Sequence, residues 1–145
     1  MSAASPKGAP SPVFVWLGQL AGTVVIAAVI VYFFKSGVPF AGKDPDFARY
    51  ALIGGLLSCA APLGYLGTFK ARLDDDQAQA RARGGDPDPA RRQALLKSLA
   101  IGGALAEIPQ GFGLLHLVFG GEIRWFLVAT MVTVALRLSY RPFTR

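Results

Sequence analysis

From Val13 to Phe34 the chain reads VFVWLGQLAGTVVIAAVIVYFF, 22 residues without a charge. At about 1.5 Å of rise per residue, a helix of that length crosses the hydrocarbon core of a bilayer. A cleaved signal sequence would have a shorter apolar region and a small-residue cleavage site. This run is longer than that and passes into Lys35-Ser36-Gly37, which reads as an interfacial end. The sequence therefore predicts a retained transmembrane helix over residues 13–34.

Composition points the same way. The 145 residues are 52% hydrophobic and 17% charged, whereas soluble domains carry about 25% charge. The net charge is +6, from 15 Lys and Arg against 9 Asp and Glu. In a soluble protein that balance would suggest nucleic acid, but no basic-aromatic interleaving accompanies it, so no nucleic-acid partner is expected. Basic residues in a membrane protein mark the cytoplasmic loops instead.

Residues 1–12 form a Pro/Ser/Ala tail that cannot build a core. A second apolar run, Tyr50 to Phe69, predicts a helix over about 48–70, with Asp44 as a candidate cap. Its packing surface is small, with Gly54, Gly55, Ser58 and Cys59, and Pro62 cannot donate to the carbonyl of Ser58, so a kink is expected there. The connection over about 71–91 is polar. It contains Asp74-Asp75-Asp76, which read as a solvated charge run because adjacent carboxylates fan apart, whereas calcium loops need spaced ligands. Gly84 to Pro89 must interrupt any helix, with Asp88 as the next cap candidate. Helices follow over about 92–119 and 123–140, joined by the short Gly120-Gly121-Glu122, which makes them antiparallel neighbours. Residues 141–145 form a short tail.

Arg137 is expected to snorkel toward the headgroups, and Trp125 to sit in the opposite interfacial belt. With the amino terminus inside, eleven Lys and Arg fall on the cytoplasmic side against four outside. The expected fold is thus all-α, a four-helix transmembrane bundle with both termini cytoplasmic, in a bacterial inner membrane.

The stretch Ser98 to Gly121 places one carboxylate, Glu107, deep in apolar sequence. Such a group normally faces a bundle interior or cavity. On a helical wheel Ala100, Gly103, Glu107, Gly111 and Leu114 share a narrow face, with Ala104 and Gln110 at its edges. Glycines one turn either side of the acid would let a neighbouring helix approach. Pro109 frees the carbonyl of Leu105, so Glu107, Gln110 and that carbonyl can form a polar cluster. Desolvation favours the neutral form of an acid unless a cation or an arginine comes close. Glu107 and Gln110 are therefore the candidates for binding a proton or small cation, and the alternative role for Glu107 is structural. His116 lies half a turn away on the wheel and reads as a packing or hydrogen-bonding residue. Gly18, Gly22, Gly54, Gly55, Gly103 and Gly111 are the candidate helix-packing positions, and Pro62 and Pro109 the candidate kinks.

The segment Ala104-Leu105-Ala106-Glu107-Ile108-Pro109, followed by Gly113-Leu114, resembles the carboxylate helix of the rotor-ring proteolipids, the c subunits of ATP synthases and vacuolar-type ATPases. That resemblance implies H⁺ or Na⁺ carriage by Glu107 within a ring of helical hairpins. The first helix lacks that family's glycine ladder, and the polar connection is far longer than its loop. Across more of its length, the chain is similar to small, functionally uncharacterised bacterial four-helix membrane proteins with an Ala-Glu-x-Pro segment and an Arg-Pro end, here Arg141-Pro142. That second resemblance implies the fold and no activity.

Ile53-Gly54-Gly55 and Ile101-Gly102-Gly103 recur, each ahead of a proline, as in paired broken helices at transporter sites. Chance recurrence suits an Ala/Gly/Leu-rich chain better. One Cys and one His leave no nucleophile-plus-base arrangement, and no metal or cofactor set is recognisable. The expectation is a non-enzymatic membrane protein without cofactors, working as a homo-oligomer or accessory subunit in the lipid bilayer. An ion-carrying subunit using Glu107 is the alternative, and a small transporter with a site between the second and third helices is the third reading.

Overall fold

The computed structural model describes residues 10–37, 42–85 and 88–143, which are helical with no strand among them. Most of the amino-terminal tail, residues 38–41, residues 86 and 87 in the polar connection, and residues 144 and 145 lie outside the described residues. The helical segments are α1 Pro12–Lys35, α2 Pro45–Ser58, α3 Ala60–Ala82, α4 Pro89–Val118 and α5 Ile123–Ser139. α2 and α3 form one run interrupted at Cys59, so the described chain has four rods. Two of these, Pro12–Lys35 and Pro45–Ala82, are long and apolar enough to cross a membrane by length and composition, and their apolar windows are only 11% buried.

The local chemistry accounts for the ends. Pro12 and Pro45 stand at first helical positions, where a missing N–H costs nothing. The Asp44 carboxylate accepts from the Phe47 N–H at 3.0 Å and caps α2. Pro62 withholds a donor from Ser58, and the helix breaks one turn before it. There Cys59 N–H reaches back to Leu56 O at 3.2 Å, while the Gly55 carbonyl accepts the Ser58 hydroxyl at 2.7 Å. The sequence expects a single helix across this point. Pro109 behaves differently, because α4 runs through it without a break. Asp88 precedes α4 but makes no side-chain cap; its carboxylate lies 3.4 Å from Arg91 Nε instead.

α4 is the hub of the bundle, packing against α1, α2, α3 and α5. Its buried stripe runs through Leu95, Leu99, Gly102, Ala106, Pro109, Gly113 and Leu117, at the three-and-four spacing of one helical face. Gly102 is required there because the Tyr140 ring occupies the space a Cβ would take. The tight link to α5 uses Gly120 at φ +94, a left-handed conformation that favours glycine. Beside it Gly42 N–H donates to Val118 O at 2.9 Å and Asp44 N–H to Phe119 O at 3.2 Å, which satisfies carbonyls at the end of α4.

Two apolar clusters result. Trp16, Phe69, Leu73, Leu95, Leu99 and Tyr140 pack at one end, and Ala27, Leu117 and Phe126 at the other. Beyond the first cluster the polar half of α3 lies along the start of α4. Arg91 pairs with Asp75, Arg92 Nε sits 3.7 Å from Asp76 Oδ2, and Arg72 donates to Ala94 O at 3.3 Å. The aspartate run is therefore only partly a solvated one, because the Asp76 side chain is 8% exposed.

Candidate functional site: an arginine buried against Glu107

Between the two clusters the bundle interior is polar. α5 carries Thr130, Thr133 and Arg137 at intervals of three and four, so all three point from one face toward α4. All three are buried. The Arg137 side chain is 3% exposed, and its Nη2 lies 2.6 Å from Glu107 Oε1. The snorkelling expected of Arg137 does not occur. Its guanidinium turns inward because a carboxylate is available there, and burial without one would cost several kcal/mol.

Glu107 is the more open partner, with its side chain 44% exposed. The wheel face drawn through Ala100, Glu107 and Gly111 thus marks the edge of α4's contact surface rather than its centre. Gly111 is exposed and a Cβ there would meet nothing within 4 Å. Gly103 does lie in a close contact, and a Cβ there would fall 2.5 Å from Gln19 Oε1. The hidden ionisable group is the arginine, and the acid neutralises it from the rim.

Gln110 takes partners other than this pair. Its Nε2 donates to Thr23 O at 3.2 Å and to Thr130 Oγ1 at 3.3 Å, tying α4 to both α1 and α5. The cluster of Glu107, Gln110 and the Leu105 carbonyl expected from sequence is replaced by other pairings, because α5 offers Arg137 to Glu107 and Thr130 to Gln110, and α1 offers the Thr23 carbonyl. Trp16 Nε1 donates to the Arg137 carbonyl at 2.8 Å, so α1 is tied to the same turn of α5. Arg137 Nε, Arg137 Nη1 and Thr133 Oγ1 are buried with no hydrogen-bond partner among the described residues.

His116 has a separate structural post. Its Nδ1 is 2.8 Å from Ala48 O, and Glu122 N–H donates to its Nε2 at 3.2 Å. A carbonyl on one nitrogen and a donor on the other fix the neutral ring with its proton on Nδ1. The ring bridges α2, α4 and the start of α5. Gly121 is obligatory beside it, since a side chain there would overlap the imidazole.

The other glycines divide. Gly54 and Gly55 pack against Phe112, where a Cβ would meet ring or Cβ atoms at 2.7 and 3.1 Å. A Cβ at Gly18 or Gly22 on α1 would meet nothing within 4 Å, so neither is needed for a close approach among the described residues. The two Ile-Gly-Gly segments likewise meet unrelated neighbours, Phe112 for one and Tyr140 with Gln19 for the other.

The sequence assigns Arg137 an outward role and gives Trp16, Thr23 and Thr130 none. The spacing of Thr130, Thr133 and Arg137 is the pattern that would have located an inward polar stripe on α5. No group of three or more His, Cys, Asp or Glu able to hold a metal occurs among the described residues. No family model, curated protein or solved structure matches the chain.

Proposed function

We propose that this chain is a four-span integral membrane protein of a bacterial inner membrane, with both termini cytoplasmic, and that it works by helix packing, as a homo-oligomer or as an accessory subunit of a membrane complex. The observation that carries the reading is an inverted polarity. Val24, Val25, Leu56, Leu57 and Met131 face outward, while Thr23, Ser98, Gln110, Thr133 and Arg137 are buried. Water would penalise that distribution, and lipid favours it. The bias of Lys and Arg toward the polar connection and the ends supports the orientation.

In this reading Glu107 is a staple that keeps Arg137 compatible with the bundle interior. The outward Gly18 and Gly22 are left for a neighbouring helix from another copy or subunit. The competing reading, ion carriage by Glu107, draws support from its half-exposed side chain. Carbodiimide labelling separates the two. A carboxylate engaged by arginine stays unmodified across the neutral range in the wild type, whereas ion carriage requires labelling of Glu107 that slows with rising pH or added Na⁺. Cysteine accessibility at residue 10, residue 83 and residue 36 in sealed membrane vesicles tests the topology. The first two must share a side, and the third must lie opposite.

A further inference from the structure

A second feature of the bundle is a cavity of about 330 Å³ between α2 and α5, floored by α4. α2 and α5 both pack extensively on α4 and at most marginally on each other. The gap stays open because its floor and walls are small: Ala51, Gly55, Gly113 and Ala129 line it. Ile53, Leu56 and Val128 also line it and are well exposed, so it opens sideways on the apolar surface. Between Ala51 and Cys59 the α2 wall extends roughly 12 Å at about 1.5 Å per residue. Its size falls at the lower end of small-molecule sites.

One end of the groove is chemically distinct. Trp125 lines it there, with the Arg124 guanidinium 5.7 Å from its ring centroid and paired to Glu122. Arg49 lies one turn before the lining residues Leu52 and Ile53, so it stands at the same end of the bundle. It is exposed and has no ion pair among the described residues. A long apolar slot with an indole at one end, and a cation unpaired among the described residues one turn beyond its α2 wall, matches one ligand class, an amphiphile with an anionic head.

We infer that this groove holds one acyl chain of a membrane phospholipid, with Arg49 taking its phosphate. The inference rests on the four-span reading, since only then does the groove face acyl chains and Arg49 the headgroup layer. A free phosphate would have no use for the slot, and a soluble apolar ligand would have no use for Arg49. Trp125 suits the boundary between the two.

The test uses the full chain in phosphatidylcholine vesicles containing a phosphatidylglycerol with a diazirine midway along one acyl chain. After photolysis, adducts are mapped by mass spectrometry. Adducts enriched several-fold on Leu56, Val128 and Val132 over Val25 and Val29 of α1 are expected. Val128→Trp, a rim change that fills the slot, abolishes the enrichment. Arg49→Gln lowers it about fivefold, the worth of about 1 kcal/mol for one interfacial cation. Equal labelling of the groove and α1 overturns the groove site while leaving the four-span reading intact, as does enrichment unaffected by both variants. Groove labelling that appears only when an oligomer is dissociated also overturns it, because a second copy then covers the slot. Absence of adducts from both regions removes the four-span reading and the groove with it.

Discussion

The protein holds Arg–carboxylate pairs in very different surroundings. In the hairpin formed by the polar half of α3 and the start of α4, Asp75 and Arg91 meet with side chains 55% and 38% exposed. In the bundle, Glu107 meets an Arg137 that is 3% exposed. The residue types match, but the consequences of losing a partner do not. An exposed partner returns to water when its mate is removed, and such pairs contribute about 0–1 kcal/mol. A buried guanidinium has no water to return to. The comparison teaches that worth is set by where the survivor is left, and so depends on which partner is removed.

Removing the acid should therefore have the largest effect. Glu107→Gln leaves Arg137 uncompensated in the interior and should lower stability by about 3–5 kcal/mol, measured by denaturant titration in mixed micelles. Arg137→Met should be milder, at about 1–3 kcal/mol, because the Glu107 left behind is only half buried, whereas Glu107→Gln strands a guanidinium that is wholly enclosed. Asp76→Asn should rank next, at roughly 1 kcal/mol. Its side chain is 8% exposed, but its partner Arg92 is 30% exposed and can turn outward. Asp75→Asn should be smallest, within about 0.5 kcal/mol. Adding salt to the molar range, where the Debye length falls to about 3 Å, should erase the Asp75→Asn difference and leave the Glu107→Gln deficit nearly unchanged. A salt-sensitive Glu107→Gln deficit would place that pair in the same class as the hairpin.

The sequence made much of the fold legible where local chemistry has a single solution. Asp44 before Pro45 reads as a cap, Pro62 as a kink, and Gly120-Gly121 as a tight return, and each acts on groups within a few residues. The organising role of the Glu107 helix was legible too, since only that stretch combined membrane length with an acid. The phase of α4 was not. A helix that is small and apolar nearly all round gives a wheel no polar face to orient it, so Glu107 and Gly111 were drawn inward when the contact stripe runs through Ala106 and Gly113. The role of Arg137 was hidden for a related reason. A charge near a helix end has a cheap outward option, and only the position of Glu107 on a neighbouring helix removes the need for it. Gln110 and Thr130 meet across 20 residues, and Gln110 and Thr23 across 87, beyond the reach of local spacing.

The most direct measurement of the stapling role is a double-mutant cycle on residues 107 and 137. Unfolding free energies of the wild type, Glu107→Gln, Arg137→Met and the double variant are compared under one set of conditions. If Glu107 exists to neutralise Arg137, the double variant is more stable than Glu107→Gln alone, and the two effects fall short of adding by at least about 1 kcal/mol. Simple additivity would mean that the two side chains act independently and that Glu107 serves something other than the arginine.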